Sequence, residues 1–133
     1  MRNIEVDLSY TIDTRGLTAE ESEQAARSVA EWLVAANQSD LPSQDLRDSG
    51  VRFRAEASET YATARVCLAR GYADAMEIAV WRCAELRAAG VDAKPMLVRH
   101  PAGDAPGIFY YTVVVLLPDG TVEDPVEAIR KVR

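Results

Sequence analysis

The sequence predicts an α+β fold in which one central helix packs on an antiparallel sheet. Residues 71–90, GYADAMEIAVWRCAELRAAG, place apolar side chains at helical spacing between two glycines, a pattern typical of a core helix. Residues 108–117, IFYYTVVVLL, form a continuous apolar run that is rich in β-branched and aromatic side chains, as in a central strand. We therefore expect a helix over 74–89 to pack against a strand over 108–117.

Length and charge limit the possible classes of protein. With 133 residues, of which 48% are hydrophobic and 27% charged, the chain is predicted to form a single domain over 1–133. The formal net charge of −6 argues against a general nucleic-acid-binding protein, which usually has a basic field. The start of the chain has no hydrophobic signal region and no apolar run reaches membrane-spanning length, so we expect no export signal and no membrane partner.

The first forty residues predict a strand followed by a helix. Apolar and polar residues alternate over 4–12, which is typical of a half-buried strand. Thr18 and Glu21 have capping-box spacing and predict a helix start, with the helix ending near Asn37. Its apolar stripe is formed by Ala25, Val29, Trp32, Leu33 and Ala36. We expect Trp32 in the core or at an interface, because burial of aromatic rings dominates packing.

The middle of the chain predicts a connection, a short strand and two helices. Residues 39–49 are polar with one proline and form the connection, and 51–55 alternate apolar with charged side chains, as in a strand. Residues 60–70 are compatible with a helix. The central helix begins with a capping box between Asp74 and Glu77. Its predicted buried face consists of Ala75, Met76, Ala79, Cys83 and Leu86.

The last third predicts a sheet. Residues 91–98 form a strand whose Pro95 indicates an edge position or a bulge. Residues 101–107 have the composition of a loop. The Pro-Asp-Gly sequence at 118–120 predicts a turn, after which 121–123 pair back as a hairpin partner.

The helix start resembles a known family. Gly71, Asp74, Ile78 and Ala79 fit the motif of transglutaminase-like cysteine enzymes, roughly G-x-[GA]-D-C-[ED]-D-aliphatic-A. The sequences DSGVRFRAE and YYTVVVLLPDGTVEDP extend the likeness, so that roughly 48–125 resemble small transglutaminase-like proteins encoded among the structural genes of tailed bacteriophages. The resemblance implies a papain-like fold and a Cys–His–Asp triad.

Two of the three triad positions are occupied by residues without the required chemistry. The nucleophile position is Ala75, whose methyl group cannot form a thiolate. Counting back from Pro118 maps the histidine onto Thr112, and the orienting aspartate maps onto Asp124. The resemblance therefore implies no catalytic residues, with Asp124 interpreted as a turn residue and Asp74 as a helix cap.

The remaining candidate residues predict neither a metal site nor a cofactor site. Cys67 and Cys83 have no disulfide or metal-ligand spacing and are predicted to be reduced core thiols. His100 is the only histidine and is expected to be exposed at a strand end. A relocated dyad of His100 with either thiol would require hydrogen-bond contact.

These patterns together predict a non-catalytic transglutaminase-like domain. Its expected role is that of a structural or assembly component of a tailed-phage virion, made in the host cytoplasm and bound to itself or to other virion proteins. The alternatives are a thiol hydrolase, inactivated or with a relocated nucleophile, a peptide-binding module, and a cytoplasmic location. Residues 39–49, 101–107 and 126–133 are expected to supply docking surfaces without being needed for the core, the last as a short helix.

Overall fold

The computed structural model describes residues 9–11, 18–55, 60–101 and 109–132. The helices are α1 (Ala19–Ser39), α2 (Ala64–Arg70), α3 (Ala75–Ala88) and α4 (Pro125–Val132). The strands are β1 (Ser9–Thr11), β2 (Arg52–Phe53), β3 (Thr60–Ala62), β4 (Tyr72–Ala73), β5 (Lys94–Pro101), β6 (Phe109–Leu116) and β7 (Val122–Glu123). A 3-10 turn at Leu46–Asp48 lies between α1 and β2.

The main sheet is antiparallel, with the strand order β5-β6-β7. Helix α3 packs on β6, and α1 packs on both α3 and β5. The predicted α+β class, with a central helix on an antiparallel sheet, is therefore confirmed. Among the described strands β6 is central and β5 lies at an edge, where Pro95 pairs opposite Val115 without breaking the strand, as expected for a proline.

Two shorter strand pairs surround the start of α3. Strand β1 pairs antiparallel with β3, and β2 pairs parallel with β4. Strand β4 ends one residue before Asp74, the N-cap of α3. The strand expected over 4–12 is described only at β1, and the one expected over 51–55 is shortened to β2. The helix predicted over 60–70 is wrong in its first part, because Thr60–Ala62 are β3 and the helix begins at Ala64.

Helix α3 is buried on two sides, not on one face as predicted. The sheet-side core contains Ala30, Leu33, Val34, Met76, Ala79, Val80, Cys83, Ala84, Ala93, Val113 and Val115. The tail-side core contains Leu46, Val51, Ala62, Ala64, Cys67, Ala73, Ile78, Trp81 and Ile129. Ile78 and Trp81 are fully buried on the second side, whereas Leu86 is only partly buried. A helix that is apolar around most of its circumference lies in the interior of a fold.

Trp32 is 65% exposed on α1, so its predicted place in the core is wrong. The buried positions of α1 include Leu33, Val34 and Asn37, which recur at spacings of three or four residues. Trp32 lies about 100° around the helix from Leu33, since an α-helix has about 3.6 residues per turn.

The connection and the tail both contribute to the core, contrary to the expectation that neither is needed there. Leu46 in the connection is 2% exposed, and Ile129 in α4 is 1% exposed. Both belong to the tail-side core, where α4 packs against α3 and β2. The third expected docking segment, 101–107, lies outside the described residues after Pro101. None of the described helices is long and apolar enough to cross a membrane.

Candidate functional site

A cleft of about 320 Å³ opens at the amino-terminal end of α3. This volume is at the lower end of the range of roughly 300–1,000 Å³ that small-molecule sites occupy. Six elements of the fold, α1, β2, β3, α3, β5 and β6, contribute to its walls. The lining residues are Ser22, Glu23, Ala26, Phe53, Ala55, Tyr61, Asp74, Ala75, Met76, Leu97, Tyr111, Thr112 and Val113. Among these described residues there is neither a thiol nor an imidazole.

The start of α3 is fixed by the predicted capping box. An Asp74 carboxylate oxygen accepts a hydrogen bond from the Glu77 amide at 2.8 Å, and Glu77 accepts one from the Asp74 amide at 2.9 Å. Gly71, with φ of 87°, ends α2 just before this turn, a left-handed conformation that glycine adopts without steric cost. Ala75 is therefore the first residue of α3 and lines the cleft.

Glu77 joins three elements behind the cleft. Its side chain is fully buried and accepts a hydrogen bond from the Ala62 amide of β3 at 2.7 Å. It also forms an ion pair with Arg70 of α2. A buried carboxylate is stable only when it is paired and hydrogen-bonded, so Glu77 holds β3, α2 and α3 in one arrangement.

The opposite wall is held together by Glu23 of α1. Its two carboxylate oxygens accept hydrogen bonds from Arg27 at 2.6 Å and from Arg99 of β5 at 2.7 Å. Hydrogen bonds to Glu23 and to Tyr111 of β6 raise the pKa of Arg99. Glu23 and Tyr111 were not identified as site residues from the sequence, and Glu23 lies outside the segment that resembles a known family.

Thr112 lines the cleft, but alternation along β6 directs its side chain to the face of the sheet opposite Val113. Val113 and Val115 pack with α3 in the sheet-side core, and neighbouring residues of a strand point to opposite faces. The Thr112 hydroxyl lies 2.9 Å from Nε2 of His100 on β5. His100 is therefore half-buried against Thr112, not exposed as predicted. Tyr111 is two residues before Val113, so its side chain lies on the same face of β6 and points towards α3.

Asp124 caps α4, in agreement with its interpretation as a turn residue. One of its carboxylate oxygens accepts hydrogen bonds from the amides of Val126 at 3.1 Å and Glu127 at 3.3 Å. The preceding residue, Glu123, accepts a hydrogen bond from Arg82 of α3 at 2.6 Å. Glu123 thus contacts α3, and Asp124 lies after the end of β7. Of the three positions mapped from the family motif, Ala75 and Thr112 line the cleft, whereas Asp124 does not.

Neither cysteine belongs to the cleft. Cys67 and Cys83 are free thiols with no exposed surface, one in each core. Burial raises the pKa of Cys83 to about 12 and raises that of Cys67 as well. The predicted core location of both thiols is confirmed. The described part of the chain contains no cluster of three potential metal ligands.

Replacing Asp74 by alanine should lower the free energy of unfolding by about 2 kcal/mol, because the cap is lost and a buried amide is left without its acceptor. Thr18→Ala is the matched control, since Thr18 forms the same capping box on α1 at an exposed position. We expect it to cost about 0.5–1 kcal/mol. Chemical denaturation of both variants measures the difference. Equal losses would contradict the role of burial at the start of α3.

In comparisons with protein-family models, curated proteins and solved structures, none of them matches this chain.

Proposed function

We propose that this chain is a non-catalytic transglutaminase-like domain that acts as a structural or assembly component of a tailed-phage particle. The observation that carries the proposal is the position of Ala75, the first residue of α3 and part of the cleft wall. In the enzymes that the sequence resembles, this position holds the nucleophilic thiol. A methyl group there leaves the helix start and its capping box without a nucleophile.

The positions of the two cysteines support the non-catalytic half of the proposal. A relocated nucleophile would need an accessible thiol in contact with a base. Cys67 and Cys83 have no exposed surface, and burial raises the pKa of both thiols. The hydrogen bond of His100 that we identify joins it to Thr112, not to a cysteine.

The assembly half rests on the sequence resemblance over 48–125. Its expected partners are further copies of this chain or other particle proteins, and synthesis takes place in the host cytoplasm. Mass spectrometry of purified particles that contain a protein of this sequence tests this half directly. Stoichiometric presence would support it, and absence from intact particles would overturn it.

We expect the purified protein to show no thiol-dependent hydrolase or transamidase activity towards peptide and glutamine-donor substrates. Ala75→Cys alone should also lack efficient turnover, because no imidazole of the described cleft wall can act as its base. Cys67 and Cys83 serve as internal controls, since buried thiols should resist alkylation in the folded protein. Turnover by the unmodified chain that iodoacetamide abolishes would contradict the non-catalytic function.

The direction of the β6 side chains provides a second test of the cleft. In Ala75→Cys combined with Tyr111→His, an imidazole on the α3 side should lower the pKa of the introduced thiol by about one unit or more. Combined with Thr112→His instead, the thiol should keep the pKa that it has in Ala75→Cys alone. The pH dependence of the alkylation rate measures both values. If Thr112→His alone lowered the thiol pKa, the assignment of the sheet faces would be wrong.

A peptide-binding module is a second candidate, favoured by the cleft itself. Phe53, Tyr61 and Tyr111 contribute aromatic rings to a cavity that also contains Asp74 and Glu23. Aromatic rings beside a few polar groups are typical of ligand sites. Saturable binding of a peptide that Ala55→Trp, a change at an exposed residue of the cleft wall, abolishes without loss of folding would support this function over a purely structural one.

A further inference from the structure

Helix α4 separates two surfaces of opposite charge. On one side Arg52 and Arg130 line a cavity between β2 and α4, together with Phe53 and Ile129. On the other side a groove runs between α4, α3 and the 3-10 turn. The groove is lined by Asp45, Leu46, Arg47, Asp48, Arg82, Glu85, Glu123, Pro125, Ala128 and Ile129. Ile129 borders both surfaces, so the two are neighbours on either side of α4.

The arginine flank consists of Arg52, Arg54 and Arg130, and most of its charge is not neutralised locally. Arg52 and Arg54 are exposed and form no ion pair with any described residue. Arg130 has a loose ion pair of 3.5 Å with Glu127, and both side chains are more than half exposed. Such an exposed pair contributes little. Positive charge therefore remains available to an anionic partner in a chain whose net charge is −6.

Aromatic rings hold two of these three guanidinium groups in place. Arg54 lies over the Tyr72 ring at 4.7 Å, and Arg130 lies over the Phe53 ring at 6.0 Å. Stacked guanidinium groups lose less conformational freedom when they bind a carboxylate. The same stacking occupies the rings, because Arg70 also covers Tyr72 at 4.4 Å. Nucleic-acid bases, which need open ring faces for stacking, are thus poorly accommodated.

The acidic groove has the complementary property. Its lining combines four carboxylates with two guanidinium groups, and Arg82 is already paired with Glu85 and Glu123. Asp45 and Asp48 are exposed and form no ion pair with any described residue. The Asp45 side chain makes no capping hydrogen bond to the 3-10 turn that follows it. These two carboxylates are available to a cationic partner.

We infer that this face binds a second copy of the chain in a two-fold symmetric dimer centred on α4. A two-fold axis through the exposed side of α4 places the arginine flank of each copy opposite the acidic groove of the other. Both excess charges are then neutralised at once, which a self-complementary interface requires. The inference rests on the assembly role proposed above and identifies the chain itself as the partner. In this dimer the tail contributes charged side chains to the interface and not Ile129, because Ile129 is already buried within its own copy.

The test uses the full chain in light scattering and sedimentation equilibrium. We expect the mass to rise to that of two copies with concentration and to rise no further. Increasing the salt from about 0.1 M to about 1 M should weaken the dimer, because the screening length falls from about 10 Å to about 3 Å. A mass that stays at one copy at all concentrations would overturn the inference. A mass that grows beyond two copies would contradict the two-fold symmetry.

Charge reversal gives a sharper result. Arg52→Glu with Arg130→Glu makes both surfaces acidic, whereas Asp45→Arg with Asp48→Arg makes both surfaces basic. Each double variant alone should dissociate at least about tenfold more readily than the unmodified chain, because like charges then face each other. An equimolar mixture should dimerise again, since both contacts of the mixed pair are complementary. No recovery in the mixture would overturn the pairing of the two surfaces.

The matched control is Asp92→Arg with Lys94→Glu, two exposed residues at the start of β5 that line neither surface. This variant should dimerise like the unmodified chain. Circular dichroism of every variant separates loss of folding from loss of pairing. A folded monomer that is found in purified particles would contradict the dimer and support the proposed function. A dimer that is absent from particles would support the dimer and contradict the proposed function.

Discussion

Glu77→Ala should lower the free energy of unfolding by about 3–5 kcal/mol, because Glu77 is a fully buried member of an ion pair. The substitution leaves the Ala62 amide without its acceptor in the interior and separates Arg70 from its partner. Removing one member of a buried ion pair costs about this much because the remaining groups stay desolvated. Chemical denaturation followed by circular dichroism measures the loss.

Two further variants separate the contributions of Glu77. Glu77→Gln keeps an acceptor oxygen for the amide but removes the charge, so its cost should lie between that of Glu77→Ala and zero. Glu127→Ala is the exposed control, since Glu127 pairs with Arg130 at the surface and such pairs contribute about 0–1 kcal/mol. A Glu77→Ala variant no less stable than Glu127→Ala would refute the role of Glu77 in holding β3, α2 and α3 together.

Ile129→Ala should cost about 2–5 kcal/mol, as large-to-small exchanges in cores do. Ile129 is 1% exposed and packs in the tail-side core with Trp81 and Val51. Removing the end of α4 from Ile129 onwards should therefore unfold or strongly destabilise the monomer. This result is opposite to the one expected from the sequence, in which the charged tail is predicted to be a docking element outside the core.

Two controls accompany this prediction. Val122→Ala removes an apolar side chain that is 52% exposed on β7, and it should change stability by no more than about 0.5 kcal/mol. Ile129→Val keeps most of the buried volume and should cost about 0.5–1.5 kcal/mol. A truncated chain that keeps its circular dichroism spectrum and its unfolding midpoint would show that α4 is dispensable for folding.

The cleft illustrates how a one-residue step changes a functional interpretation. Thr112 and Tyr111 are neighbours, yet only Tyr111 has the parity of Val113, which packs against α3. Counting along a sequence locates a position on a strand to within one residue. The face of the sheet to which the side chain points, however, alternates with every residue. The hydrogen bond between Thr112 and His100 could not be anticipated without the pairing of β5 with β6.

The sequence by itself determined the features that depend on neighbouring residues. The capping boxes at Thr18 and Asp74 are present as predicted, because a cap is a contact between residues three apart. The apolar run became the central strand β6, since its β-branched and aromatic side chains favour a buried strand. The alanine at position 75, where the motif that the sequence resembles has a cysteine, likewise needs no structure to be recognised.

Only the tertiary structure decided the features that depend on distant contacts. Glu23 and Tyr111 meet at one cleft because α1 and β6 pack around the start of α3. The tail-side core, with Leu46 and Ile129, gives α3 a second buried side that a search for one apolar face overlooks. Burial is a property of the assembled fold, and a helix with as many charged residues as α4 can still place Ile129 inside. For that physical reason, local pattern determined where the elements begin, and long-range packing decided which of their side chains face the core, the cleft or the surface.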